Sequence, residues 1–140
     1  MIPHAASALR MLAQRIMMSV LPEVKSAYVA ADGAMVSMLL TALSSELESG
    51  VANRVSDIEE MKAILARYSD RVENPEELLS LTPASFRLTE VNRVHDLLTR
   101  ALILLHETVE VENVSEAQAN INREIFVYLH DHAERHKLSI

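Results

Sequence analysis

Apolar positions recur every three or four residues through almost the whole chain. That is the spacing of an α-helix, not the alternation of a half-buried strand. Ala5, Leu9, Leu12, Ile16 and Val20 form a first stripe. Pro3 suits a first helical turn, and Leu21-Pro22 interrupts the pattern. Over about residues 22–49, Val24, Tyr28, Ala31, Met35, Met38 and Ala42 stay in phase across Gly33. This predicts one long helix, with Gly33 permitting a close helix crossing. Gly50 follows "SSELES" and has the chemistry of a helix-ending C′ residue.

A third helix is expected over about residues 53–71, with Val51, Val55, Ile58, Met61, Leu65, Tyr68 and Val72 as its stripe. Ser56 and Glu59 have capping-box spacing. In "ENPEELLSLTPASFRLT", Asn74-Pro75 and Thr82-Pro83 each resemble an N-cap followed by proline, and a short helical turn is predicted over residues 75–81. A fourth helix, about residues 89–111, aligns Val91, Val94, Leu98, Leu102, Leu105 and Val109. A fifth, about residues 115–137, aligns Ala117, Ile121, Ile125, Tyr128, Leu129 and His132, with Ser115 and Gln118 as a capping box. The short link "EVENVS" makes these two an antiparallel hairpin. The pattern predicts an all-α fold: a mostly antiparallel bundle of four to five main helices plus a short helical turn, one domain over residues 1–140.

Composition agrees. The chain has two glycines and four prolines in 140 residues, too few to turn a β fold repeatedly. Its formal charge of −7, without a basic cluster, disfavours nucleic acid. There is no cysteine, which excludes disulfides and thiolate sites and suits a reducing, cytoplasmic setting. The most membrane-like stretch, residues 26–45, has a single charge, Asp32, but several hydroxyls. It reads as a buried core helix, and no membrane association is expected.

Candidate chemistry gathers at the end of the chain. Three of six histidines, His130, His132 and His136, fall within "HDHAERH". On a helical wheel His132 and His136 continue the apolar stripe, while His130 points to solvent. If the hairpin turns near Asn113, facing residue numbers sum to about 227, which brings His95 opposite His132. His95, His132 and His136 then converge at one end of the bundle. Two imidazoles four residues apart lie on one side of a helix, as chelation of zinc or another divalent transition metal requires. The plainer alternative has these histidines complementing the helix dipole and binding free carbonyls. A nearby carboxylate is not apparent: Glu90 and Asp131 lie off the core side. "DIEE" at residues 57–60 and "ETVEVE" read as solvated charge runs, and His106–Glu110 as an exposed helix pair.

There is no nucleophile elbow and no phosphate-binding glycine loop, so the catalytic residues are unknown and no enzymatic activity is evident. The first helix carries more information. Leu9 and Ile16 occupy one face, Met11 and Met18 the opposite one, and all seven methionines precede residue 62. A helix apolar on two sides is sandwiched or meets a partner. The leading expectation is therefore an acidic interaction or scaffold protein with no cofactor. It would form a homodimer, or bind another protein, through Leu9, Met11, Ile16, Met18, Met35 and Met38. A metal-binding bundle, hydrolytic in one version, and a bundle that binds an apolar small molecule are the alternatives.

Overall fold

The structure, a computed structural model, describes residues 4–109 and 115–137. It is all-α, with no strand among the described residues. Helix α1 spans Ala5–Arg15 and continues through a π-helical turn, Ile16–Val20, and a 3-10 turn, Leu21–Glu23. Helix α2 spans Ala27–Arg67, α3 Pro75–Ser80, α4 Leu88–Glu107 and α5 Glu116–Arg135.

The two helices expected on either side of Gly50 are one. No proline falls between Pro22 and Pro75, and neither glycine takes a positive φ, so nothing stops the 41-residue helix. Ser56 accordingly caps nothing: its hydroxyl donates to the Ala52 carbonyl within the helix. Helix α3 starts where Asn74-Pro75 predicted. Asn74 takes the left-handed conformation (φ 49°), a region asparagine tolerates while the following proline disfavours αR. Thr82-Pro83 starts no helix. The Ser115–Gln118 capping box forms in full at the head of α5. Asn113, the expected pivot of the last hairpin, lies outside the described residues, as does Glu110.

The described residues pack as two compact units, one up to Gly50 and one spanning Val51–Lys137. In the first, α1 runs antiparallel to the start of α2. The Ser37 hydroxyl donates to the Ala13 carbonyl (2.9 Å) and that of Ser44 to the Ala6 carbonyl (2.7 Å). A Cβ on Gly33 would come within 2.5 Å of the Leu21 side chain, so what fills this space is a leucine tip from the 3-10 turn and not the backbone of a crossing helix. Ala13, Ser37 and Ser44 are buried in the seam. The large apolar side chains point the other way: Leu12, Met17, Val20, Tyr28, Val29, Val36, Leu39, Leu43 and Leu47 are all exposed. Of the stripes expected to face inward, Leu12, Val20 and Tyr28 face outward, while Leu9, Ile16 and Val24 are half-buried. The core-helix reading of residues 26–45 does not hold.

The second unit is conventional. The carboxy-terminal part of α2 contributes Ile58, Met61, Ile64 and Leu65, α4 contributes Val91, Val94, Leu98, Leu102 and Leu105, and α5 contributes Ile121, Ile125 and Tyr128. Leu78 and Leu79 of α3 dock on this core, with Leu81 beside them. Helices α4 and α5 are antiparallel in the expected register. His95 stacks on His132 with ring centroids 6.0 Å apart, and one end further along His106 Nε2 lies 3.0 Å from Asn122 Oδ1.

Candidate metal centre

Sequence periodicity brings three imidazoles to one end of the second unit; what it missed is the group they surround. Asp57 lies on α2 four residues before Met61, seven before Ile64 and eight before Leu65, in phase with the buried stripe. Its side chain is completely buried (0% exposed). The solvated reading of "DIEE" is thus wrong for Asp57. The usable signal was a carboxylate on the apolar face; reading the run of acids as one exposed surface hid it.

Four basic groups converge on that carboxylate. His136 Nε2 lies 2.7 Å from Asp57 Oδ2, His132 Nδ1 3.0 Å and His95 Nε2 3.6 Å. The other oxygen, Oδ1, accepts from Arg135 Nε at 3.0 Å. Arg135 also grips Glu60 with two bonds, of 2.6 and 2.7 Å, a fork that orients the guanidinium. Asn53 donates to the Arg135 carbonyl (3.0 Å), so this free carbonyl at the end of α5 is bonded by an amide and not by a histidine.

Burial alone pushes the Asp57 carboxyl up. Hydrogen bonds from His136 and Arg135, with the neighbouring imidazoles, outweigh it and hold the group below the usual carboxylate range. Burial pushes His95 the other way, below the ordinary imidazole value, against the pull of Asp57. Burial and the Asp57 charge together raise the Tyr128 hydroxyl.

Two nitrogens in this cluster are left over. His95 Nε2 and His132 Nδ1 are both buried and both lack a hydrogen-bond partner. His132 Nδ1 is close to Asp57 Oδ2 but not aligned with it as a hydrogen bond. Buried polar atoms in this condition are uncommon and costly. Asp57, His132 and His136 each offer a ligand atom, all within 4.8 Å of one another. A tetrahedral ion with bonds of 2.0–2.1 Å separates its ligand atoms by about 3.3 Å. The His136 and His132 nitrogens stand somewhat closer to Oδ2 than that, and His95, 3.6 Å from Oδ2, lies outside the 4.8 Å group.

His95, His132 and His136, the residues expected at the site, meet there, and His130, expected to face solvent, is exposed. Of the expected interface residues, Met11 (70% exposed), Met18 (73%), Met35 (61%) and Met38 (51%) lie on the surface, while Leu9 and Ile16 are half-buried. No protein-family model, curated protein or solved structure matches this chain.

Proposed function

We propose that the second unit is a metal-binding helical bundle. It takes a divalent transition ion such as Zn²⁺ through Asp57, His132 and His136, with His95 as fourth donor. The observation that carries this reading is the pair of buried imidazole nitrogens without partners, turned toward one buried carboxylate. In the metal-free protein His136 donates its Nε2 proton to Asp57. A cation would replace that proton and use the nitrogens that have no other work. Three nitrogens and one oxygen suit Zn²⁺ and its neighbours, not Ca²⁺ or Mg²⁺. Arg135 then acts as the outer partner that orients the ligating carboxylate. Four protein donors saturate a tetrahedral ion, so the metal is structural or sensory; hydrolysis needs an open position.

Metal content of protein purified without an affinity tag tests the reading. One Zn²⁺ or Ni²⁺ per chain is expected. Free ion at 100 times its dissociation constant stabilises a fold by about 2.7 kcal/mol, which raises the melting temperature of a domain this small by roughly 10 °C or more. No bound metal, together with unchanged melting on adding either ion, contradicts it.

A second reading rests on the first unit. Its hairpin is held by small side chains and serine hydroxyls, and it turns Met11, Met18, Met35 and Met38 outward. Large apolar side chains exposed in this number favour an interaction site. We propose self-association through these faces, which makes the chain a scaffold. A bilayer is the competing cover, since α2 contains an 18-residue window of mean hydropathy 1.4. The uncharged run between Asp32 and Glu46 is 13 residues, however, or about 20 Å of helix against a hydrocarbon core of about 30 Å. The hairpin also carries the Arg10–Glu48 ion pair. Light scattering across a concentration series should show a dimer or larger species in plain buffer. A strict monomer, or particles that disperse only in detergent and float with liposomes, contradicts it.

A further inference from the structure

The two broad sides of the α1–α2 hairpin are unlike. The Ala6 and Ala13 carbonyls of α1 accept from Ser44 and Ser37 of α2, and these four residues mark the seam. At about 100° per residue from those positions, Leu9, Leu12 and Ile16 fall on one flank of α1. Val29, Val36, Leu40, Leu43 and Leu47 fall on one flank of α2. In an antiparallel pair these two flanks lie on the same side. The opposite side carries Gln14, Ser45 and the Arg10–Glu48 ion pair. On the aliphatic side, Leu12, Val29, Val36, Leu43 and Leu47 are exposed, and Leu9, Ile16 and Leu40 are half-buried.

Spacing and charge say what covers this side. Residues 36, 40, 43 and 47 alternate steps of four and three, and Val29 lies one heptad before Val36. Leu9, Leu12 and Ile16 step by three and four. That is the spacing with which one helix meets another running alongside it. Arg15 borders the side at the outer edge of α1, and Asp32 at the outer edge of α2. Both are exposed, and neither has an ion-pair partner among the described residues. A surface with an aliphatic centre, a cation on one edge and an anion on the other is complementary to itself.

We propose that this side is the contact between two copies of the chain, packed face to face as a four-helix bundle in which α1 of each copy lies along α2 of its partner. The inference rests on the self-association reading above and names the surface that serves it. Residue numbers across the seam sum to 50, which sets Arg15 level with residue 35. A two-fold axis parallel to the helices keeps that level. Arg15 then comes within one turn of the partner's Asp32, and the pair forms twice. An axis across the helices would set α1 against α1, cation beside cation. The aliphatic side exposes on the order of 600 Å² per copy, so pairing hides about 1,200 Å² in total, the lower end of the range for a specific interface.

Sedimentation velocity of the full chain over a concentration series tests this. Wild type should show a monomer–dimer equilibrium. Leu43→Glu places two uncompensated carboxylates in the contact and should weaken it about 100-fold or more, with helicity unchanged by circular dichroism. Gln14→Glu, on the opposite side, should change it less than about twofold. Arg15→Asp and Asp32→Arg should each weaken the dimer about 10-fold, and the double swap should restore it to within about threefold. Association lost in Met35→Glu but kept in Leu43→Glu overturns this surface and leaves self-association standing. A double swap as weak as the single variants overturns the pairing of α1 with the partner's α2. A monomer at every concentration overturns both readings.

Discussion

The two units use the same amino-acid alphabet in opposite ways. Among its described residues the bundle buries Leu98, Leu105 and Ile121 and a single acid, Asp57. The hairpin buries Ala13, Ser37 and Ser44 and turns Met35, Leu39 and Leu43 to the surface. Both are amphipathic, and both show helical periodicity. Periodicity identifies a helix and its two faces, but not which face has a neighbour. That depends on how closely the partner backbone comes. Small side chains with hydroxyls permit a close approach and supply bonds to carbonyls, so a helix can pack through them and keep its bulky face for something else.

Removal of the exceptional acid should have the largest effect. Asp57→Ala leaves the Arg135 guanidinium and three imidazoles around an uncompensated hole. It should cost about 3–5 kcal/mol in chemical denaturation and abolish metal binding. Asp57→Asn keeps the volume, so it should fold better than the alanine variant while still losing the ion. If Asp57→Ala is as stable as wild type, the cluster is not the organised centre described.

Next comes a matched pair of leucines. Leu98→Ala, in the bundle core, should cost about 2–5 kcal/mol, because it removes buried methyl groups and leaves a cavity. Leu39→Ala, on the outer face of the hairpin, should cost under about 0.5 kcal/mol in dilute protein while weakening self-association. Equal losses would mean that the outer face is covered within the chain. The seam gives a smaller effect. Ser44→Ala removes the bond to the Ala6 carbonyl and should cost about 0.5–1.5 kcal/mol.

Acid should act through the bundle first. The folded-state value of His95 is depressed, so its contribution is full above the ordinary imidazole value of 6.5 and is lost as pH falls below it. Asp57 is also depressed, and its contribution is lost in a second window, as pH falls from 3.8 through its folded value. Denaturation of metal-free protein across pH 7 to 2 should show both losses. Stability that rises on acidification toward pH 5 would contradict the assignment of His95.

Much of this was legible in the sequence, for identifiable reasons. The α4–α5 register followed from a short link and two clear stripes, and so the meeting of His95 with His132 followed too. The caps at Asn74 and Ser115 mark true helix starts. Gly50 misled because glycine ends a helix only where the chain takes a left-handed turn, and a continuous α2 gives it no occasion to. Asp57 was hidden by its acidic neighbours, although its phase with Met61 and Leu65 marked it as inward-facing. The inversion of the hairpin could not be read from periodicity. It depends on Ser37 and Ser44 finding carbonyls on α1, which is a tertiary fact.

The proposed cation site unites one buried carboxylate with three imidazoles. X-ray absorption at the zinc edge, on protein loaded with one equivalent of Zn²⁺, tests it most directly. A first shell of four nitrogen and oxygen scatterers at about 2.0–2.1 Å, with the outer-shell signature of imidazole rings that weakens in His136→Ala, is the predicted result. A six-oxygen shell without imidazole features, or an ion removed by simple desalting, would contradict it.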